Sequence, residues 1–233
     1  MWGAFLCIFI SLQRLPDKEI LMNHINRFVF NTFLVNTYLL YDESKECIII
    51  DAACYEKSEQ KELTDYITRN RLKLVRHLNT HCHVDHILGN QFIADTYSVF
   101  PEYHKTSVPF FIAAREIGLS FGYKLDRFPP PKGYLEDGDV IHFGNSGLKV
   151  FYTPGHAEGS ICLYQQEQGF VMTGDVLFKD TIGRTDLPSG DFNLLMGSIK
   201  GKLFTLPDAT TVYPGHGPET TIGYEKMHNP FIR

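Results

Sequence analysis

Sulfur, basic charge and long apolar runs are all scarce in this chain. Its five cysteines, Cys7, Cys47, Cys54, Cys82 and Cys162, are odd in number and scattered, with no CxxC pair. That spacing argues against a disulfide framework or a thiolate zinc site. Free thiols in a reducing, cytoplasmic compartment are expected instead. Lys and Arg total 22 against 27 Asp and Glu, a net charge of −5. No basic stripe stands out, so nucleic acid is not expected as a ligand. No apolar run reaches the roughly 20 residues of a membrane helix, so no membrane partner is expected either. The nearest approach, AFLCIFISL over 4–12, has no basic run before it and no clear small-x-small cleavage signal after it. It reads as a leader, with 1–21 outside the fold and 22–233 forming a single domain. Internal repeats and linkers are missing as well, which fits one domain.

What remains is globular in character. Hydrophobic residues make up 43% and charged residues 21% of 233, ample for a full core. Residues 28–40, rich in Phe, Val, Thr and Tyr, predict one or two strands. A short apolar strand over 46–50 ends at Asp51. Helical spacing over 55–70 puts Leu63, Tyr66 and Ile67 on one face. A strand over 72–78 runs into Thr80-His81. A helix is predicted over 85–96, with Ile87, Leu88, Phe92 and Ile93 as its stripe, and another over 109–123. The proline run in 128–133 must be a stiff loop, because proline fixes φ and removes an amide donor. Strands are predicted at 140–141, 148–153, 161–164, 170–173 and 210–213. A helix over 191–206 is predicted with Asp191 as its N-cap, and a short one near Glu225. Order alone supports α/β or α+β.

The strongest local signal is Thr80-His81-Cys82-His83-Val84-Asp85-His86, three histidines and a carboxylate directly after a predicted strand. Imidazole and carboxylate are ligands of zinc, iron and manganese. Residues two apart in an extended segment point the same way, so His81 and His83 can reach one ion. A turn into the next helix can send Asp85 and His86 towards a second. Thr153-Pro154-Gly155-His156, Thr173-Gly174-Asp175 and Tyr213-Pro214-Gly215-His216-Gly217 each put a metal-competent residue past a strand end, beside glycine. A turn cap or surface histidine explains any one of these, but not the repeated placement.

Taken in order, THCHVDH, TPGH, GD and PGHG resemble the metallo-β-lactamase superfamily from about Phe28 to the C-terminus. The resemblance implies a four-layer αββα sandwich. It implies that His81, His83 and His156 hold one divalent ion, that Asp85, His86 and His216 hold a second, and that Asp175 bridges them. Zinc is the first expectation, with iron or manganese as alternatives. The segments GRTDLP at 183–188, TTIGYE at 220–225 and NPF at 229–231 are similar to the short glyoxalase II-like (hydroxyacylglutathione hydrolase-like) enzymes. This implies hydrolysis of a small-molecule thioester by a metal-bridging hydroxide, with Asp85 and Asp175 as catalytic carboxylates. A thiolate leaving group needs little acid help. Full-length glyoxalase II enzymes carry a further helical domain that helps bind glutathione, and this chain ends at Arg233, so the thiol half of the substrate stays open.

Arg184 either holds a substrate carboxylate through its planar fork or pairs with Asp186 or Asp180 to fix its loop. Tyr123 and Phe178 are candidate substrate contacts; the loop over 128–133 and the segment over 109–123 are candidates for an apolar rim over the substrate, with Phe110, Phe111, Phe121 and Tyr123 either part of that rim or ordinary core. Asp51 is expected to support the metal loop and not to ligate. Cys82 is expected to pack away from the ligands beside it. His24, His77, His104, His142 and His228 have no partner pattern.

Two rivals remain. His81, His156 and Asp175 alone would suit a mononuclear Fe(II) oxygenase, and persulfide dioxygenases share the GRTD segment. A non-catalytic metal-binding protein would have lost ligands, and none is lost. Nuclease and flavin-linked relatives of the superfamily carry added domains for which this chain has no room.

Overall fold

Period-two burial along neighbouring strands dictates the layering. The computed structural model describes residues 23–232, and the expected leader lies outside them. The chain enters with β1 (His24–Phe30), β2 (Val35–Tyr41) and β3 (Glu46–Ile50). Side chains alternate across a strand. Leu39, Tyr41, Cys47 and Ile49 therefore face one side, and Tyr38, Leu40, Ile48 and Ile50 the other. Both faces are buried, so the sheet must be covered twice.

Its outer cover is α1 (Lys57–Arg69), through Leu63 and Ile67, and α2 (Asn90–Tyr97), through Ile93. β4 (Lys73–Leu78), β5 (Pro101–Tyr103) and β6 (Gly133–Tyr134) complete the sheet in the order β1-β2-β3-β4-β5-β6. From β3 onward the pairs are parallel. Parallel neighbours need crossovers, which α1, α2 and α3 (Val108–Ser120) supply.

The second half makes the second sheet from β7 (Val140–Phe143), β8 (Ser146–Tyr152), β9 (Ile161–Gln165) and β10 (Phe170–Gly174). A small hairpin, β11 (Leu177–Phe178) and β12 (Thr181–Ile182), leads to α4 (Phe192–Gly201), and β13 (Thr211–Pro214), β14 (Thr220–Thr221) and α5 (Ile222–His228) follow. The strand order is β14-β13-β10-β9-β8-β7. Its inner face, with Ile141, Phe143, Leu148, Val150, Leu163 and Met172, packs on the inner face of the first sheet. Its outer face, with Tyr164, Val171 and Val212, takes Leu195 and Ile199 of α4 and Ile222 of α5. The result is the helix–sheet–sheet–helix sandwich that the motifs imply.

One expectation narrows and two change. The stretch 28–40 is two antiparallel strands, reversed at 31–34. The helix expected over 85–96 is a 3-10 turn, Val84–His86, followed by α2 from Asn90. The break falls at Gly89, whose N–H donates to Ala52 O at 2.8 Å in place of a helical carbonyl, and an added Cβ there would sit 2.7 Å from Cys54 Sγ. The helix expected over 191–206 ends at Gly201, and a 3-10 turn, Leu203–Thr205, follows. Its cap is as expected, since the Asp191 side chain accepts from Leu194 N at 2.9 Å. Among the described residues no helix is long and apolar enough to cross a membrane.

Candidate metal centre

Four loops leave the C-terminal ends of β4, β8, β10 and β13 and converge. The β4 loop stays extended to His83 (ψ 148°), and the 3-10 turn then swings Asp85 and His86 round. His156 follows β8, Asp175 follows β10, and His216 follows β13.

All seven expected ligands meet. Potential donor atoms of His81, His83 and His156 lie within 4.8 Å of one another, as do those of His81, His86 and Asp175, and those of Asp85, His86 and His216. His156 Nε2 faces His83 Nδ1 at 2.9 Å, and His86 Nε2 faces His216 Nε2 at 3.3 Å. The Asp175 carboxylate reaches both groups: Oδ1 is 3.3 Å from His86 Nε2, and Oδ2 is 3.5 Å from His216 Nε2 and 3.7 Å from His156 Nε2. Asp85 Oδ2 is 3.4 Å from His216 Nε2. Ligands about 2.0–2.1 Å from a tetrahedral ion stand roughly 3.3–3.4 Å apart, so these separations suit cations.

Two further observations fit the same group. His81 Nε2 and Asp175 Oδ1 are buried without a hydrogen-bond partner. Each such orphan costs about 1–3 kcal/mol, which a cation relieves. Gly215 has no side chain where one would fill the space, since a Cβ there would lie 2.8 Å from His86 Cε1 and strike Asp175 Oδ1.

The rings are held from behind, which fixes the nitrogen that faces the centre. His86 Nδ1 donates to Asp51 Oδ2 at 3.0 Å. His156 Nδ1 donates to the Arg184 carbonyl at 2.9 Å, and His216 Nδ1 to the Phe33 carbonyl at 3.0 Å. Asp51 also accepts from Thr80 N at 2.7 Å and Thr80 Oγ1 at 2.6 Å. The Thr80 hydroxyl in turn accepts from His81 Nδ1 at 3.1 Å. The reversal between β1 and β2 is stitched to the His216 loop: Val35 and His216 form a lone antiparallel bridge, and Asn36 N donates to the Gly215 carbonyl at 2.7 Å.

The protein's own charges split these groups. Burial drives His81 well below its ordinary pKa and His83 down to about 4. Burial also acts downward on His86 and His216, but Asp175 and Asp85 overcome it. His86 is held well above the usual range and His216 at about 9. Burial pushes Asp175 and Asp85 upward, and the facing histidines outweigh it, so both carboxyls end below their ordinary values. A cation in this position displaces protons, so its binding strengthens as pH rises.

A cleft of about 630 Å³ opens over the cluster. Phe33, Phe110, Ala113, Ile117 and Phe121 wall one side, and Leu187, Pro188 and Ser189 the other. Arg184 lines it too, with its fork on Asp186 at 2.8 and 2.7 Å, one of the two pairings expected for it. Tyr123 sits behind the wall, away from the expected substrate contact. It is buried, and its hydroxyl lies 2.6 Å from Thr32 Oγ1 and accepts from Thr32 N, which supports the β1–β2 reversal. Phe178 also lies outside the cleft lining, its ring 6.3 Å from that of His216. Phe111 is core, stacked on Tyr103 at 5.3 Å. Sequence reasoning missed Phe33, Leu187 and the two orienting carbonyls. A backbone carbonyl has no signature in residue identity, so only the fold could reveal those.

Comparison with known proteins agrees with this geometry. Hydroxyacylglutathione hydrolase GloC of Haemophilus influenzae is 34% identical over 202 residues, spanning 86% of this chain and 93% of that protein. The crystal structure of the BLEG-1 B3 metallo-β-lactamase matches with a TM-score of 0.81 and 34% identity, covering 90% of this chain and 99% of that one. TTHA1623 in a di-iron-bound form matches with a TM-score of 0.79 and 30% identity, covering 88% and 99%. The family model for the metallo-beta-lactamase superfamily aligns with residues 31–216 and so ends on the last of the seven expected ligands. By that match, which takes in most of its length, this chain belongs to the metallo-β-lactamase superfamily.

Proposed function

We propose that the chain is a thioesterase of the glyoxalase II type that works with two divalent cations. The observation that carries this reading is the Asp175 carboxylate, placed between two groups of imidazoles at the floor of an apolar-walled cleft. His81, His83 and His156 would hold one ion, Asp85, His86 and His216 the other, and Asp175 both. Zinc suits the nitrogen and oxygen donors, as do iron and manganese. When bound, the ions supply Lewis acidity and lower the pKa of water to about 7.

The protein's residues do the positioning. Asp51, Arg184 O and Phe33 O keep the imidazole Nε2 atoms aimed inward. Asp85 presents a carboxylate that can accept a proton-bearing bond from the attacking water. Among the described residues, no lysine or tyrosine lines the cleft. A lining without those two donor types suits a thioester, whose thiol has a pKa of about 8.5 and leaves unprotonated. An amide would need a proton donor. The name carried by the relative from H. influenzae supports the same substrate class. A mononuclear oxygenase would use His81, His156 and Asp175 and leave His83, Asp85, His86 and His216 idle.

Metal-loaded protein should hydrolyse acyl-thioesters in a panel that includes lactoylglutathione, with two ions per chain by elemental analysis. Asp175→Ala should lose both ions and turnover. Turnover that survives in this variant overturns the mechanism. One iron per chain with oxygen uptake on glutathione persulfide would install the oxygenase instead.

A further inference from the structure

The cleft wall follows one face of α3. Phe110, Ala113 and Ile117 recur at helical spacing, and Phe121 follows just past the helix end. Phe33 closes the wall from the β1–β2 reversal, edge-on to Phe121 at 5.1 Å. Ile117 and Phe121 remain 41% and 57% exposed. Large apolar side chains left contiguous in water mark a ligand surface. The wall also reaches both halves of the metal centre. Phe110 packs edge-on against His83 at 5.3 Å, and the Phe33 carbonyl holds His216.

Charge points the same way. Beyond the seven ligands, the described residues around the cleft bring one carboxylate, Glu158, and one guanidinium, Arg184, already forked onto Asp186. A glutathione moiety carries two carboxylates and one ammonium. Neither carboxylate meets an unengaged lysine or arginine here, and Glu158 repels both. A neutral chain loses nothing by entering and gains by leaving water.

We propose that the thioester taken by this site carries an extended apolar acyl chain, lodged against the α3 wall, on a small uncharged thiol. The proposal rests on the thioesterase reading above. The reaction is plain hydrolysis. Water oxygen forms the new C–O bond, the C–S bond breaks, one water proton ends on the departing thiolate to give the thiol, and the other is released to solvent as the acid leaves as a carboxylate.

The test uses the metal-loaded full chain. Along N-acetylcysteamine thioesters from acetyl to decanoyl, kcat/KM should rise about four-fold per methylene until the cleft is filled. The same acyl groups on glutathione should be turned over more slowly. Calorimetry with non-hydrolysable S-alkyl-N-acetylcysteamine thioethers should show affinity rising with chain length. Ile117→Ser and Phe121→Ser, both at exposed positions, should flatten that series. If lactoylglutathione is hydrolysed but the acyl series is flat, the proposal falls and the thioesterase reading stands. If no thioester is hydrolysed yet the thioethers bind by chain length, the apolar cleft stands and the thioesterase reading falls. Dependence on the length of the thiol, with acetyl fixed, would overturn the assignment of the chain to the acyl side.

Discussion

Replacing Asp51 by Asn tests how the metal centre is held. Asp51 follows β3 directly, at a φ of 52°, a left-handed conformation that Asn accepts more readily than most residues. The substitution therefore keeps the backbone and the volume. Asp51 Oδ1 accepts from Thr80 N, and Oδ2 accepts from Thr80 Oγ1 and His86 Nδ1. Asn has a single acceptor oxygen. With that oxygen turned to Thr80 N, its amide N–H confronts the N–H of His86. Relief requires His86 to carry its proton on Nε2, the atom that faces Asp175 and His216. With the amide turned the other way, Thr80 N loses its acceptor beside His81. Loss of such an orienting partner lowers metal affinity about 10–100-fold, or roughly 1.4–2.8 kcal/mol. A hydrogen bond to a charged group, at about 1.5–3 kcal/mol, gives the same scale. Competition with a chromophoric chelator should show the dissociation constant of the ion that His86 would hold raised by that factor, with the melting temperature of the metal-free protein as a control for folding. Unchanged affinity for both ions in a folded variant would refute the reasoning.

Two other perturbations follow from the fold. Burial pushes His77, on β4, down to a pKa of about 3. The unfolded chain binds a proton there below about pH 6.5 and the folded chain does not, so stability falls with acidification, by up to about 1.4 kcal/mol per pH unit. Urea unfolding of metal-free His77→Gln between about pH 6 and 4 should show a slope shallower than wild type by that amount, and equal slopes would count against it. Gly89→Ala places a methyl 2.7 Å from Cys54 Sγ and 2.8 Å from Ala52 O. Overpacking of this kind costs about 1–3 kcal/mol, and chemical denaturation will show whether it does.

The positions of the seven clustered side chains were legible because each combines a chemically specific residue with a strand end. His81, His156, Asp175 and His216 could be placed without knowing which strands pair. The layering was legible only through family resemblance, since the strand order depends on pairings hundreds of atoms apart. The local misreadings have causes distant in sequence. The apolar stripe Ile87, Leu88, Phe92 and Ile93 mimics one continuous helix, but Gly89 is pinned by its amide bond to Ala52 O. Tyr123 reads as a rim aromatic by composition. Its hydroxyl partner, Thr32, lies 91 residues away in sequence, a distance that periodicity cannot bridge. Arg184 shows the limit most clearly, since its carbonyl, which orients His156, is a group every residue possesses.

The stitch between Val35–Asn36 and Gly215–His216 gives wall and ion a common foundation. Phe33, which an occupant of the cleft would press upon, is bonded through its own carbonyl to the ring of His216. Both loads fall on one stretch of main chain. Thermodynamic reciprocity then fixes the exchange: whatever factor an ion adds to the grip on an occupant, the occupant returns to the ion. An ion that tightens the grip on an occupant is therefore itself held more tightly while the cleft is filled.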